Sequence, residues 1–336
     1  MTLLVIVLCC DGNPVAPPPP SLTTTTTAPP SRPPRVDQEP DLYAIRGVTA
    51  FGAALLDEQE LLAFIHHVMA AGVNILRVGA QTDDWCGHRN IYIDECCGPH
   101  WQSEAARDNL ARLLDVTSRI PGLSVQLIPT FTHKKYGIGR CMKLTEQAIE
   151  IVMAGSEDDP EPYRHVVWEA VNEAKHPRSA LSQADVVKLL KRLKKTGMPV
   201  GTDQGGGNDV PWEGFYSPEY LSLVSYIAFH PPRHVGASKS DCISALPSRS
   251  RLRKVISKFS LPVWMDETIC YISDESKALY GIGEQEGHYT YCGGSTEERR
   301  RLMIQNFMHD VEAAGGSFFF HALWCFRGIR LGWLPS

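Results

Sequence analysis

From residue 41 to the C-terminus the chain repeats one pattern: a short apolar run, a loop, then an amphipathic helical stretch before the next apolar run. The runs fall at 43–52, 73–81, 123–131, 165–173, 199–203, 223–230, 261–267 and 317–324. Helical spacing marks 57–71, where Leu61, Leu62, Ile65 and Met69 recur on one face and Gly72 reads as the C-terminal cap. Further helices are expected over 103–119, around 144–154, over 183–195, about 247–259 and over 296–314. Runs this short and apolar are strands buried on both faces, and strands alternating with helices make a parallel sheet. Eight repeats fit a (β/α)8 TIM barrel, an α/β fold of a single domain, better than an open doubly wound sheet. No Gly-x-Gly-x-x-Gly turn follows the first run, which weighs against a dinucleotide-binding fold.

A barrel gathers the C-terminal ends of its strands on one face, so residues far apart in sequence can share a pocket. Two of the runs end on an acid: 165–173 reads HVVWEAVNE and closes at Glu173, and 261–267 reads LPVWMDE and closes at Glu267. Two carboxyls on separate strand ends are what glycosidic bond cleavage requires, one to protonate the leaving oxygen and one to attack or to activate water. The competing reading of each Glu is a salt-bridge partner. Asp266 neighbours Glu267, and alternation sends the two to opposite faces, with Asp266 expected to be the structural one. Glu169 is four residues before Glu173, which by the same alternation puts it on the same face but deeper.

These motifs resemble glycoside hydrolase clan A, the retaining β-glycosidases that include the family 5 cellulases and mannanases. The resemblance rests on Asn172-Glu173 ending the fourth run, Glu267 ending the seventh, Arg77 on the second and Trp324 ending the eighth. It implies Glu173 as general acid/base and Glu267 as the nucleophile of a double displacement, their carboxyls roughly 5 to 5.5 Å apart. It further implies that Asn172 bonds the sugar 2-hydroxyl, that Arg77 keeps Glu267 ionised, and that Trp324 is a stacking platform. His133 and His230 are expected to meet sugar hydroxyls or orient the nucleophile. Many clan members carry a Tyr after the sixth strand, where this chain has His230-Pro231-Pro232. Trp85, Trp212, Tyr216 and Tyr271 are candidates for further subsites. Two other readings compete: a metal-dependent barrel using His133, Glu173, Asp203, His230 and Glu267 as ligands, and a non-catalytic carbohydrate-binding barrel. No His-x-His stands on the first run, which weighs against the metal-dependent hydrolases that use one. The glycosidase reading needs no metal and no cofactor.

A formal net charge of -5 offers no basic surface for nucleic acid, so the expected partner is a poly- or oligosaccharide and the expected state a monomer. Residues 1–12 contain the apolar run LLVIVLCC, about the length of a signal core but too short to span a bilayer; it reads as a signal peptide or as a lipidated export segment with Cys9 or Cys10 as acceptor. Residues 13–40 are Pro- and Thr-rich and read as a disordered tether, with the hydrolase domain at 41–336. Export with a stalk implies a secreted or surface-anchored protein. The ten cysteines lack zinc-finger spacing, and the loop groups Cys86, Cys96, Cys97 and Cys270, Cys292 suggest at least one disulfide if the protein is exported. The turn Gly205-Gly206-Gly207 is no phosphate loop, because no Lys-Ser or Lys-Thr follows.

Overall fold

The alternation becomes a ring of parallel strands wrapped by helices. The computed structural model describes residues 33–50, 53–79, 104–130, 137–172, 174, 181–203, 217–228, 253–254, 256–257, 259–266, 306 and 308–321. The strands are β1 Arg46–Thr49, β2 Ile75–Gly79, β3 Ser124–Ile128, β4 Val166–Glu169, β5 Val200–Gly201, β6 Ile227–Ala228, β7 Val263–Met265 and β8 Ser317–His321. They form one 8-stranded sheet in the order β5-β4-β3-β2-β1-β8-β7-β6, with each of these neighbours paired in parallel. The two end strands meet: Asp203 bridges Ala228 in parallel, and the Ser225 N–H donates to the Val200 carbonyl at 2.7 Å. The sheet therefore closes on itself as a (β/α)8 barrel.

Between the strands run α1 Glu58–Ala70, α2 Glu104–Ser118, α3 Ile138–Ala154, α4 Gln183–Lys194 and α5 Pro218–Leu223. Their starts obey local chemistry. Asp57 caps α1 by accepting from the Glu60 N–H, and Ser182 with Asp185 forms a capping box on α4. Gly72, with φ of 82°, ends α1 in the left-handed region that only glycine enters cheaply. Two expectations shift. The sixth apolar run is shorter than 223–230 suggests, because Ser217 caps a helix that opens on Pro218 and carries Leu223 as its last residue. The helix expected around 144–154 begins at Ile138, where Cys141, Leu144 and Thr145 continue the buried stripe.

The chain docks on the barrel before residue 41. Arg35 donates to the Glu161 carbonyl at 2.8 Å and lies over the Tyr163 ring, 4.1 Å from its centroid. The Val36 N–H reaches the Ser118 carbonyl, and Gln38 bonds both Leu123 and Gly122. Every one of these partners precedes β3 or β4, so the segment is bound at the foot of the barrel, where the strands begin. Proline content makes a segment stiff and extended, yet two long polar side chains suffice to moor it.

Two cores result. The larger lies between strands and helices and takes the outward residues of each strand, such as Leu76, Val125, Trp168 and Val263. The smaller fills the barrel interior with Ile45, Ile75, Val167, Tyr226, Ala228, Trp264 and Phe319. Here the Tyr226 and Trp264 rings stack at 3.7 Å, and Phe319 tilts against Trp264 at 5.5 Å. The indole N–H of Trp264 donates to the Leu42 carbonyl at 2.9 Å, which closes the foot. A side chain on Gly201 would meet the Tyr226 ring at 2.5 Å, so the ring's place depends on that glycine.

Candidate active site

Above the stacked rings, the inward positions turn from apolar to charged. On β2, Ile75 belongs to the interior cluster and Arg77, two residues on, points the same way one layer higher. The same step leads from Val167 to Glu169 on β4 and from Trp264 to Asp266 after β7. The side chains of Arg77, Glu169 and Asp266 are all 0% exposed. Arg77 donates from Nε to Glu169 Oε2 and from Nη2 to Glu169 Oε1, both at 2.7 Å. Nη2 also reaches Asn172 Oδ1 at 2.6 Å, and Nε lies 3.4 Å from Asp266 Oδ2. A planar fork with fixed donors suits this multiple grip in a way an ammonium would not.

Glu169 is braced from a third strand. Gln126 on β3 donates to its Oε2 at 2.8 Å and approaches the Tyr226 hydroxyl at 3.1 Å. That hydroxyl donates to the Trp168 carbonyl at 3.0 Å. Burial, then the charges of Glu169 and Asp266, push the Tyr226 phenol well above its ordinary range, so it remains a donor. Tyr220 on α5 is raised likewise by burial and by the charges of Asp203 and Glu169.

Of the expected site residues, Arg77 and Asn172 fall within the described chain, and they are in contact. Glu173, Glu267, His133, His230, Trp324, Trp85, Trp212, Tyr216 and Tyr271 lie outside the described residues, as do Gly205 to Gly207 and every cysteine but Cys141. Of the alternative metal set only Asp203 is described, buried after β5. Arg77 was expected to serve Glu267; its described partners are Glu169, Asn172 and Asp266.

Alternation along β4 stops at Glu169. Glu169 and Asn172 are an odd number of residues apart, yet both bind Arg77. The pleat is broken between them: the strand ends at Glu169, the Ala170 N–H goes to the Gly201 carbonyl on one side and the Asn172 N–H to the Thr130 carbonyl on the other. Even spacing therefore no longer fixes a common face beyond Glu169. Asp266 likewise follows the last residue of β7, Met265. Gln126 and Tyr226 went unnoticed in the sequence. The signal for Gln126 was a polar residue at an inward position of the run SVQLI.

No family model matches the chain, and no curated protein matches its sequence. Solved structures do share its fold. The endo-1,4-beta-mannanase from Rhizomucor miehei aligns with a TM-score of 0.51 at 13% identity, covering 87% of this chain and 89% of that one. The endo-beta-1,4-mannanase from Thermotoga petrophila gives 0.55 at 13%, covering 84% and 68%. The glycoside hydrolase family 5 mannosidase from Rhizomucor miehei gives 0.55 at 13%, covering 83% and 81%. At such identity the likeness is one of fold, that of a (β/α)8 barrel.

Proposed function

We propose that this chain is a retaining β-glycosidase of the clan A, family 5 type, cutting internal bonds of a β-linked polysaccharide of the cellulose or mannan kind. The observation that carries this reading is the grip of Arg77. It holds Asn172, the residue directly before Glu173, and it pairs with Asp266, the residue directly before Glu267. Asn172 and Asp266 thus meet one buried guanidinium toward the C-terminal ends of β2, β4 and β7, the face where barrel enzymes keep their chemistry, and the two candidate acids are the next residues in the sequence. Solved barrels of similar fold bear the names mannanase and mannosidase, which supports the substrate class.

In this reading the Glu267 carboxylate attacks the anomeric carbon while Glu173 gives its proton to the departing glycosidic oxygen. Water then delivers a proton to Glu173 and its oxygen to the anomeric carbon, which releases Glu267. Asn172 accepts from Arg77 through Oδ1, an orientation that turns its amide N–H2 toward other acceptors, here the sugar 2-hydroxyl. Trp324 stacks on the sugar, His133 and His230 meet its hydroxyls, and Trp85, Trp212 and Tyr271 line further subsites. The protein acts as a monomer outside the cell, secreted or held at a surface by its N-terminal segment.

The test is a screen of cellulose, mannan, xylan and β-glucan that reads product length and anomeric configuration. Retention of configuration on one of them is the expected result. Glu267→Ala abolishes hydrolysis and keeps sugar binding, and native turnover in that variant sinks the reading. Glu173→Ala loses far less on substrates with activated leaving groups, which need no proton.

A further inference from the structure

Glu169 has no step in the double displacement, yet it is the group on which Arg77 is most firmly seated, through two bonds of 2.7 Å. Its own carboxylate is braced by Gln126, and Gln126 by Tyr226, whose hydroxyl is tied to the backbone of β4. A guanidinium is planar, so two parallel bonds to one carboxylate fix its plane and leave its other directions determined. The second Nη2 hydrogen goes to Asn172 Oδ1 at 2.6 Å, and Asp266 lies beside Nε at 3.4 Å as an ion pair, the Nε hydrogen being given to Glu169.

Charge follows the same geometry. Among the described residues, Arg77 from β2 pairs with Glu169 from β4 and Asp266 after β7; the Glu169 charge also acts on Tyr226 just before β6 and on Tyr220 from α5, and Asp203 after β5 acts on Tyr220. Of the two carboxylates paired with the cation, Glu169 takes two of its hydrogen bonds.

We propose that Glu169 is a positioning residue for Asn172: it fixes the plane of the Arg77 fork, whose remaining Nη2 hydrogen holds Asn172 Oδ1. The inference rests on the glycosidase reading for what Asn172 does, which is to bond the sugar 2-hydroxyl. Removing or withdrawing the Glu169 carboxylate frees the fork to turn, and the Asn172 amide turns with it.

The experiment uses the full chain with 15N-labelled asparagine, the side-chain amide resonance of Asn172 being assigned through Asn172→Ala. In Glu169→Gln that resonance should shift, and turnover should fall far more on an aryl glycoside that carries the 2-hydroxyl than on its 2-deoxy counterpart. A defect of packing alone would lower both turnovers alike. An unmoved amide resonance in folded Glu169→Gln, or equal losses on the two glycosides, overturns the inference. Glu169→Asp keeps the charge and withdraws the carboxylate by one methylene; it should shift the same resonance, and it decides alone if Glu169→Gln does not fold. Should the native chain cleave none of the four glycans, the glycosidase reading fails, and the amide resonance still decides the role of Glu169.

Discussion

The barrel interior is built in two ways within one turn of its wall. Below, Trp264, Tyr226 and Phe319 fill the foot with stacked rings that hold by area and shape. Above, Arg77, Glu169 and Asp266 fill the same cylinder with charge, each two residues beyond an interior apolar residue of its own strand, Ile75, Val167 and Trp264. The first arrangement stabilises the fold, at roughly 1.5 to 3 kcal/mol for each large side chain buried. The second is weak evidence for stability, because desolvating the ions cancels most of their attraction. A chain that needed only a core would continue the rings. Charges at the mouth are better explained by what they position.

That contrast can be broken most directly at Arg77. Arg77→Met leaves Glu169 and Asp266 buried without the guanidinium and should cost about 3 to 5 kcal/mol in urea unfolding. Replacing all three by apolar residues of similar volume should recover most of the loss while turnover stays absent. A single variant as stable as the native chain would mean the mouth is not held by charge.

A buried histidine where β4 begins is kept neutral. His165, just before β4, contacts the Thr117 hydroxyl at 2.9 Å, and burial followed by the charge of Arg35 lowers its pKa from 6.5 to about 3. Between those values the unfolded chain takes up a proton that the folded chain refuses. Stability is therefore lost as pH falls from 6.5 toward 3, by about 1.4 kcal/mol per pH unit from this group. His165→Gln should remove that part of the slope; urea midpoints at pH 6.5 and 4 measure it, and an unchanged slope contradicts the assignment.

Smaller changes sharpen the boundary between the layers. Gly201→Ala drives a methyl into the Tyr226 ring and should cost about 1 to 3 kcal/mol, read as a lowered thermal midpoint. Tyr226→Phe keeps the ring in the stack but removes the hydroxyl that joins Gln126 to the Trp168 carbonyl. It should cost about 1 kcal/mol, and it separates what the ring contributes from what the hydroxyl does.

The ring of strands was legible because apolar runs buried on both faces leave a plain trace, and Arg77 stood out as a charge inside such a run and Asn172 as a polar residue near the end of another. Their partners were harder to read. Glu169 was read as a deep acid, which it is, but its sharing of Arg77 with Asn172 was hidden because the pleat ends at Glu169 and an odd spacing no longer separates the two. Asp266 was expected to be structural, and its pairing with Arg77 inside the barrel gives that expectation a location. Leu223 was read as strand because it begins an apolar run, while Ser217 and Pro218 upstream had already set a helix. Residues 35–40 were read as tether on composition. Composition measures how stiff a segment is and not whether Arg35 and Gln38 find partners.

The mooring of Arg35 also sets a direction. The chain enters the barrel at the strand beginnings, beside Ser118, Leu123 and Glu161, whereas Asn172 and Arg77 stand at the strand ends. A pull applied at Arg35 would load the turns before β3 and β4 and bypass Arg77, so the charged layer at the strand ends is mechanically insulated from the mooring.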